Sequence, residues 1–108
     1  MESNICAEEA NKWRLCVEQH IRASNVASRC ADAVAQFDSC IVVWRAQVGP
    51  DARVCGENEG EPPPQCAALS CLIGYCLREN GYNFERCKLP MQYFKHCVKS
   101  YYGSDYVA

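Results

Sequence analysis

The sequence predicts an all-α fold, built as two disulfide-stapled antiparallel helical hairpins joined by a Gly/Pro/Glu-rich linker. Three observations predict it. Cys6 to Cys16, Cys30 to Cys40, Cys66 to Cys76 and Cys87 to Cys97 each enclose nine residues, so eight of the ten cysteines obey one spacing, C-x9-C. A ten-residue step along an α-helix rises about 15 Å and stops about 80° short of three turns, which leaves both sulfurs near one face. Apolar residues recur at helical steps around those cysteines, and a run rich in glycine, proline and glutamate separates the second pair of spacings from the first.

The first helix is expected from about Asn4 to Ile21, with Ile5, Trp13, Leu15 and Val17 as apolar positions and Ser3 or Asn4 as its cap. After a polar connection a second helix should run from about Ala27 to Gln47. Val34, Phe37, Ile41 and Trp44 recur there at steps of three and four, and Gly49-Pro50 stops it. The linker carries Gly56, Gly60, Pro62-Pro63-Pro64 and Glu57, Glu59 and Glu61. A third helix is expected from near Pro64 to Asn80-Gly81, where glycine suits a left-handed cap. The fourth should run from about Asn83 to Tyr101. Pro90 must kink it unless the helix proper begins near Leu89. The organisation is therefore residues 1–48 for the first hairpin, 49–64 for the linker, 65–101 for the second hairpin and 102–108 for a tail. It is an internal duplication.

The chain has 108 residues and each half only about 40, a size at which apolar burial alone seldom holds a fold. Ten cysteines place it among disulfide scaffolds. The net charge of −2 gives no argument for nucleic acid, and no apolar run reaches the ~20 residues of a transmembrane helix. Met1-Glu2-Ser3-Asn4, followed by Glu8 and Glu9, resembles neither a secretory leader nor an Arg-rich transit peptide. A cysteine-rich chain without either address fits the mitochondrial intermembrane space.

Geometry chooses among the pairings. Cys6 with Cys16 is ruled out within a helix, because about 15 Å exceeds the ~7 Å ceiling between bridged Cα atoms. Cys6 with Cys30 would need parallel helices, which a short connection disfavours. The remaining nested ladder is Cys6–Cys40 with Cys16–Cys30, and Cys66–Cys97 with Cys76–Cys87. Cys71 lies about 140° round the helix from Cys66, and Cys55 is in the linker. A Cys55–Cys71 bridge is expected to pin the linker, with two free thiols as the alternative.

Paired C-x9-C helices, present from Cys6 to Cys40 and again from Cys66 to Cys97, resemble the coiled-coil-helix-coiled-coil-helix family of the mitochondrial intermembrane space. The doubled form is similar to an accessory subunit of respiratory complex I. The resemblance implies a non-catalytic structural subunit of an inner-membrane respiratory complex, without cofactor, peripheral to the membrane and held among neighbouring subunits. It also implies a transient partner, the import oxidoreductase that installs the bridges. Apolar residues three or four positions from a docking cysteine would guide that encounter: Trp13, Phe37, Trp44, Tyr93 and Phe94 stand so. Core packing claims the same residues, since such neighbours share a helix face.

Other functions have less to rest on. Soft-metal delivery needs closely spaced cysteines, and no Cys-Cys, Cys-x-Cys or Cys-x-x-Cys occurs. A Cys-His nucleophile could be drawn from Cys16 with His20 or from Cys97 with His96, but a bridged sulfur is no thiolate. A soluble assembly factor or metallochaperone would depend on Cys55 and Cys71, and a mitoribosomal subunit sits poorly with an acidic balance. Tyr101, Tyr102 and Tyr106 lie beyond the last cysteine, where little core is expected, and tyrosine favours protein contacts. They are expected to touch a partner, so that truncation after Ser100 would weaken incorporation and leave the fold intact.

Overall fold

In a computed structural model, the described residues are 5–49, 52–54 and 61–103. They form helices α1 (Ala7–His20), α2 (Val26–Arg29), α3 (Ala31–Val48), α4 (Pro64–Glu79) and α5 (Lys88–Tyr102), with a 3-10 turn at Phe84–Cys87. No strand occurs among them. The chain is all-α, and α1 with α3, and α4 with α5, make two stapled hairpins.

Each helix starts and stops for a local reason. Cys6, in the left-handed region at φ 54°, occupies the N-cap of α1, while Ser3 and Asn4 lie outside the described residues. Glu8 and Glu9 stand in the first turn, where negative charge meets the positive end of the helix dipole. Pro64 opens α4, where its missing N–H costs no intrahelical bond. The Tyr82 N–H bonds Leu77 O at 2.7 Å across Gly81 (φ 61°), the six-to-one closure of a Schellman cap.

The long second and fourth helices expected from periodicity are each divided. Cys30 (φ −102°, ψ 6°) separates α2 from α3, and Cys87 (φ −113°, ψ 20°) separates the 3-10 turn from α5. In both hairpins the inner-rung cysteine thus caps the returning helix after one tight turn. That resolves Pro90: α5 begins at Lys88, so the proline falls in the first turn, where its absent N–H has no intrahelical partner to lose. Asn83 caps the 3-10 turn instead, accepting from the Glu85 N–H at 3.0 Å.

The two hairpins do not stand apart. Their buried residues form one cluster running from Cys6 and Trp13 through Phe37 and Trp44 to Leu69, Val98 and Tyr101. The described part of the linker joins it. Val54 is buried and its N–H bonds Tyr101 O at 3.2 Å.

Candidate functional site

Four bridges define the covalent frame. Cys6–Cys40, Cys16–Cys30, Cys66–Cys97 and Cys76–Cys87 hold Cα atoms 6.0, 5.8, 5.8 and 5.9 Å apart, inside the range a disulfide spans without backbone movement. Cys71 carries a free, exposed thiol, which corrects the expected fifth bridge; its proposed partner Cys55 lies outside the described residues. The physical reason is position: Cys71 is exposed on α4, whereas Val54, the described residue next to Cys55, is buried and bonded to Tyr101 of α5.

Between the hairpins lies an aromatic junction. Trp13, fully buried on α1, stands 5.0 Å from Phe37, 5.3 Å edge-on from Tyr93 and 5.7 Å from His96, measured between ring centroids. Phe37 and Trp44 in turn meet Tyr101 at 5.8 and 6.2 Å. Tilted and edge-to-face pairs at these separations add about 0.5–1.5 kcal/mol each beyond simple burial. Trp13 of α1 and both Phe37 and Trp44 of α3 therefore touch α5. The import-signal candidates Trp13, Phe37 and Trp44 are buried here, with Tyr93 and Phe94 packed against the same cluster.

Polar contacts close the junction at its ends. The Tyr101 hydroxyl donates to Ile5 O at 2.6 Å, and the Gln65 side-chain amide donates to the same carbonyl at 3.0 Å. Burial, reinforced by the nearby charge of Glu9, raises the Tyr101 phenol above its ordinary range, and burial alone raises that of Tyr93. Arg45 reaches from the end of α3 to Gly49 O at 3.3 Å, Ala52 O at 2.5 Å and Ser100 O at 3.0 Å, and its guanidinium lies 4.6 Å over the Trp44 ring. It fastens α3, the linker and α5 to one another. His96 meets Asp38 of α3 at 2.6 Å. At the far end Arg22 donates to the Tyr75 hydroxyl at 2.7 Å and pairs with Glu79 at 3.2 Å, a contact that raises its pKa chiefly through the tyrosine hydrogen bond.

This arrangement takes Tyr101 out of the expected docking tail. Tyr101 is fully buried and belongs to the core, because α5 runs one turn past its last rung and folds back under Ile5. Tyr102 is half-buried, with its hydroxyl donating to Glu61 O at 2.8 Å. Tyr106 lies outside the described residues. Truncation after Ser100 would consequently remove a core residue. Sequence reasoning also passed over Arg45, whose one available signal was a cation in the last turn of a helix ending at glycine.

The eight ladder sulfurs are oxidised and offer no thiolate, and His20 and His96 neighbour bridged cysteines. No group of three or more His, Cys, Asp or Glu residues that could hold a metal ion occurs among the described residues. A shallow cleft of about 370 Å³ between the end of α1 and α4 is lined by Glu18, Ile21, Arg22, Leu72 and Tyr75, and Arg22 already spans it. No described helix is long and apolar enough to cross a membrane. In comparison with known proteins, no family's sequence model, curated protein or solved structure matches the chain.

Proposed function

We propose that this chain is a non-catalytic structural accessory subunit of a mitochondrial inner-membrane respiratory complex, complex I before others, held on its intermembrane-space side. The observation that carries the reading is the fourfold C-x9-C spacing, folded into two stapled hairpins whose aromatic residues are shared in one core. Four disulfides and a core shared by both hairpins tie such a body together at several points, which suits a bracket between larger subunits. The resemblance to the coiled-coil-helix-coiled-coil-helix family supports the compartment and the transient partnership with the import oxidoreductase. Trp13, Phe37, Trp44, Tyr93 and Phe94, exposed before the bridges form, would guide that partnership and afterwards become core.

The test is to resolve detergent-solubilised mitochondria on a native gel and probe for this chain. Migration with complex I is the expected result. Migration alone at low mass, or with ribosomal particles, would end the proposal.

The exposed Cys71 thiol favours a second reading, a soluble assembly factor or metallochaperone. Alkylation without reductant would then label the purified chain, and copper supplied under reducing conditions would bind stoichiometrically. Labelling without metal uptake removes the metallochaperone, and migration with complex I on the native gel removes the soluble assembly factor.

A further inference from the structure

A net charge of −2 conceals an asymmetry between the two ends of the chain. Residues 65–103 carry Arg78, Arg86, Lys88, Lys95 and Lys99 against Glu79 and Glu85, a net +3, so the rest of the chain is acidic. On α5 the division is sharp. Pro90, Cys97, Val98 and Tyr101 are buried, whereas Lys88, Gln92, Lys95 and Lys99 are exposed on the opposite side, within an arc of roughly 60°. The helix contains no acidic residue at all. Lys95 and Lys99 enter no ion pair among the described residues, and Lys88 has only the solvent-exposed Glu85 at 2.8 Å. Asp38, which α3 brings against α5, is engaged by His96.

A helix face that is merely solvated carries both signs, as α1 does with Glu8, Lys12, Arg14 and Glu18. The α5 face carries one. At its N-terminal end stand two rings in water, Tyr82 at 66% and Phe84 at 62% exposure, on a turn fixed by the Tyr82 N–H to Leu77 O bond, with Arg86 beside them. We propose that this face of the second hairpin, Lys88, Lys95 and Lys99 with Tyr82 and Phe84 at its tip, is a docking surface for an anionic lipid bilayer.

Charge complementarity and residue type decide the occupant. Lysine is depleted in protein–protein contacts, where its hydrated ammonium fits poorly. An anionic headgroup layer accepts point charges at any position, and aromatic rings settle at headgroup level. A stripe about 16 Å long with aromatics at one end suits a flat charged surface better than a shaped protein pocket. The surface is read from the fold alone and stands whether or not the chain belongs to a respiratory complex.

The experiment is co-sedimentation of the oxidised full chain with phosphatidylcholine vesicles, with and without about one-third phosphatidylglycerol, at roughly 0.1 M salt. Binding is expected only to the anionic vesicles, and is expected to be lost at high salt. Lys88→Glu/Lys95→Glu/Lys99→Glu should lower partitioning at least about a hundredfold, at about fivefold for each lysine removed. Tyr82→Ser/Phe84→Ser should weaken it several-fold while leaving the salt dependence in place. Circular dichroism and thiol counts check the fold, and the milder Lys95→Gln/Lys99→Gln, expected to lose about 25-fold, serves if the reversal misfolds. No partition into anionic vesicles, or partition unchanged by either lysine variant, overturns the proposal. So does a lysine variant that binds vesicles normally yet is missing from its native assembly, since the face would then meet an acidic protein.

Discussion

In the first hairpin, helices of 14 and 18 residues carry both tryptophans and Phe37, and the inner rung closes a separation of 14 residues. In the second, helices of 16 and 15 residues turn back sooner, across a separation of 11, and, Tyr101 apart, bury smaller groups: Leu69, Leu72 and Val98. The covalent frames correspond rung for rung, down to Cys30 and Cys87 capping their returning helices. The cargo on those frames differs. The first hairpin brings both tryptophans and Phe37 to the core, and the second adds the buried Tyr101, packs Tyr93 against them and turns a lysine face outward. Duplicating a stapled frame leaves its faces free to diverge, because the bridges fix the helix pair whatever the other positions carry.

Reduction of all bridges tests the shared frame most severely. Each rung contributes about 3–4 kcal/mol in the chain-entropy account, so four together exceed or rival the whole stability of a domain this small. The expected outcome is loss of most far-UV helical signal in both halves under strong reductant at 25 °C. A reduced chain that kept its helices would show that packing, not covalency, holds the hairpins.

Trp13→Ala breaks the comparison at its centre. The loss should be about 3–5 kcal/mol, read by urea denaturation with the bridges intact. If the second hairpin leans on the first, hydrogen exchange at α5 amides must quicken along with that at α1. Unchanged protection in α5 would make the halves independent.

Tyr101→Phe sharpens the same point from the other side. Losing the bond to Ile5 O should cost about 1 kcal/mol at neutral pH. The variant should also change the alkaline limb. The folded phenol holds its proton beyond the point, near pH 10, where an unfolded tyrosine releases it. The folded chain thus binds more protons there, so its stability is complete below about pH 10 and falls as pH climbs toward the folded pKa. Melts taken above pH 10 with Cys71 alkylated should fall less steeply in the variant, with Tyr93 accounting for the remainder.

Asp38→Asn has the smallest expected effect. The pair with His96 joins the hairpins at 2.6 Å, but its side chains are 46% and 44% exposed, so solvent screens it. A loss below about 1 kcal/mol in urea denaturation is expected, and a larger one would make this contact part of the junction rather than its rim.

Much of this was legible in the chain itself. The spacing of Cys6, Cys16, Cys30 and Cys40 encodes a helix face and a nested partner choice, because rise and rotation per residue are fixed by backbone geometry. Pro64 and Gly81 announced helix ends for the same local reason. The break at Cys30 was not legible, since periodicity continues through it and the rung imposes it.

Tyr101 shows the limit most clearly. Counted along the chain it lies past the last cysteine and resembles a tail, yet α5 carries it beneath Ile5, ninety-six positions away. Sequence alone determined the helices, the duplication and the ladder, all products of short-range geometry. Only the tertiary structure decided that the hairpins share a core, that Arg45 fastens α3 to the linker and α5, and that the lysines of α5 look outward together. Those depend on how two rigid bodies meet, and the apolar area that drives the meeting is non-directional.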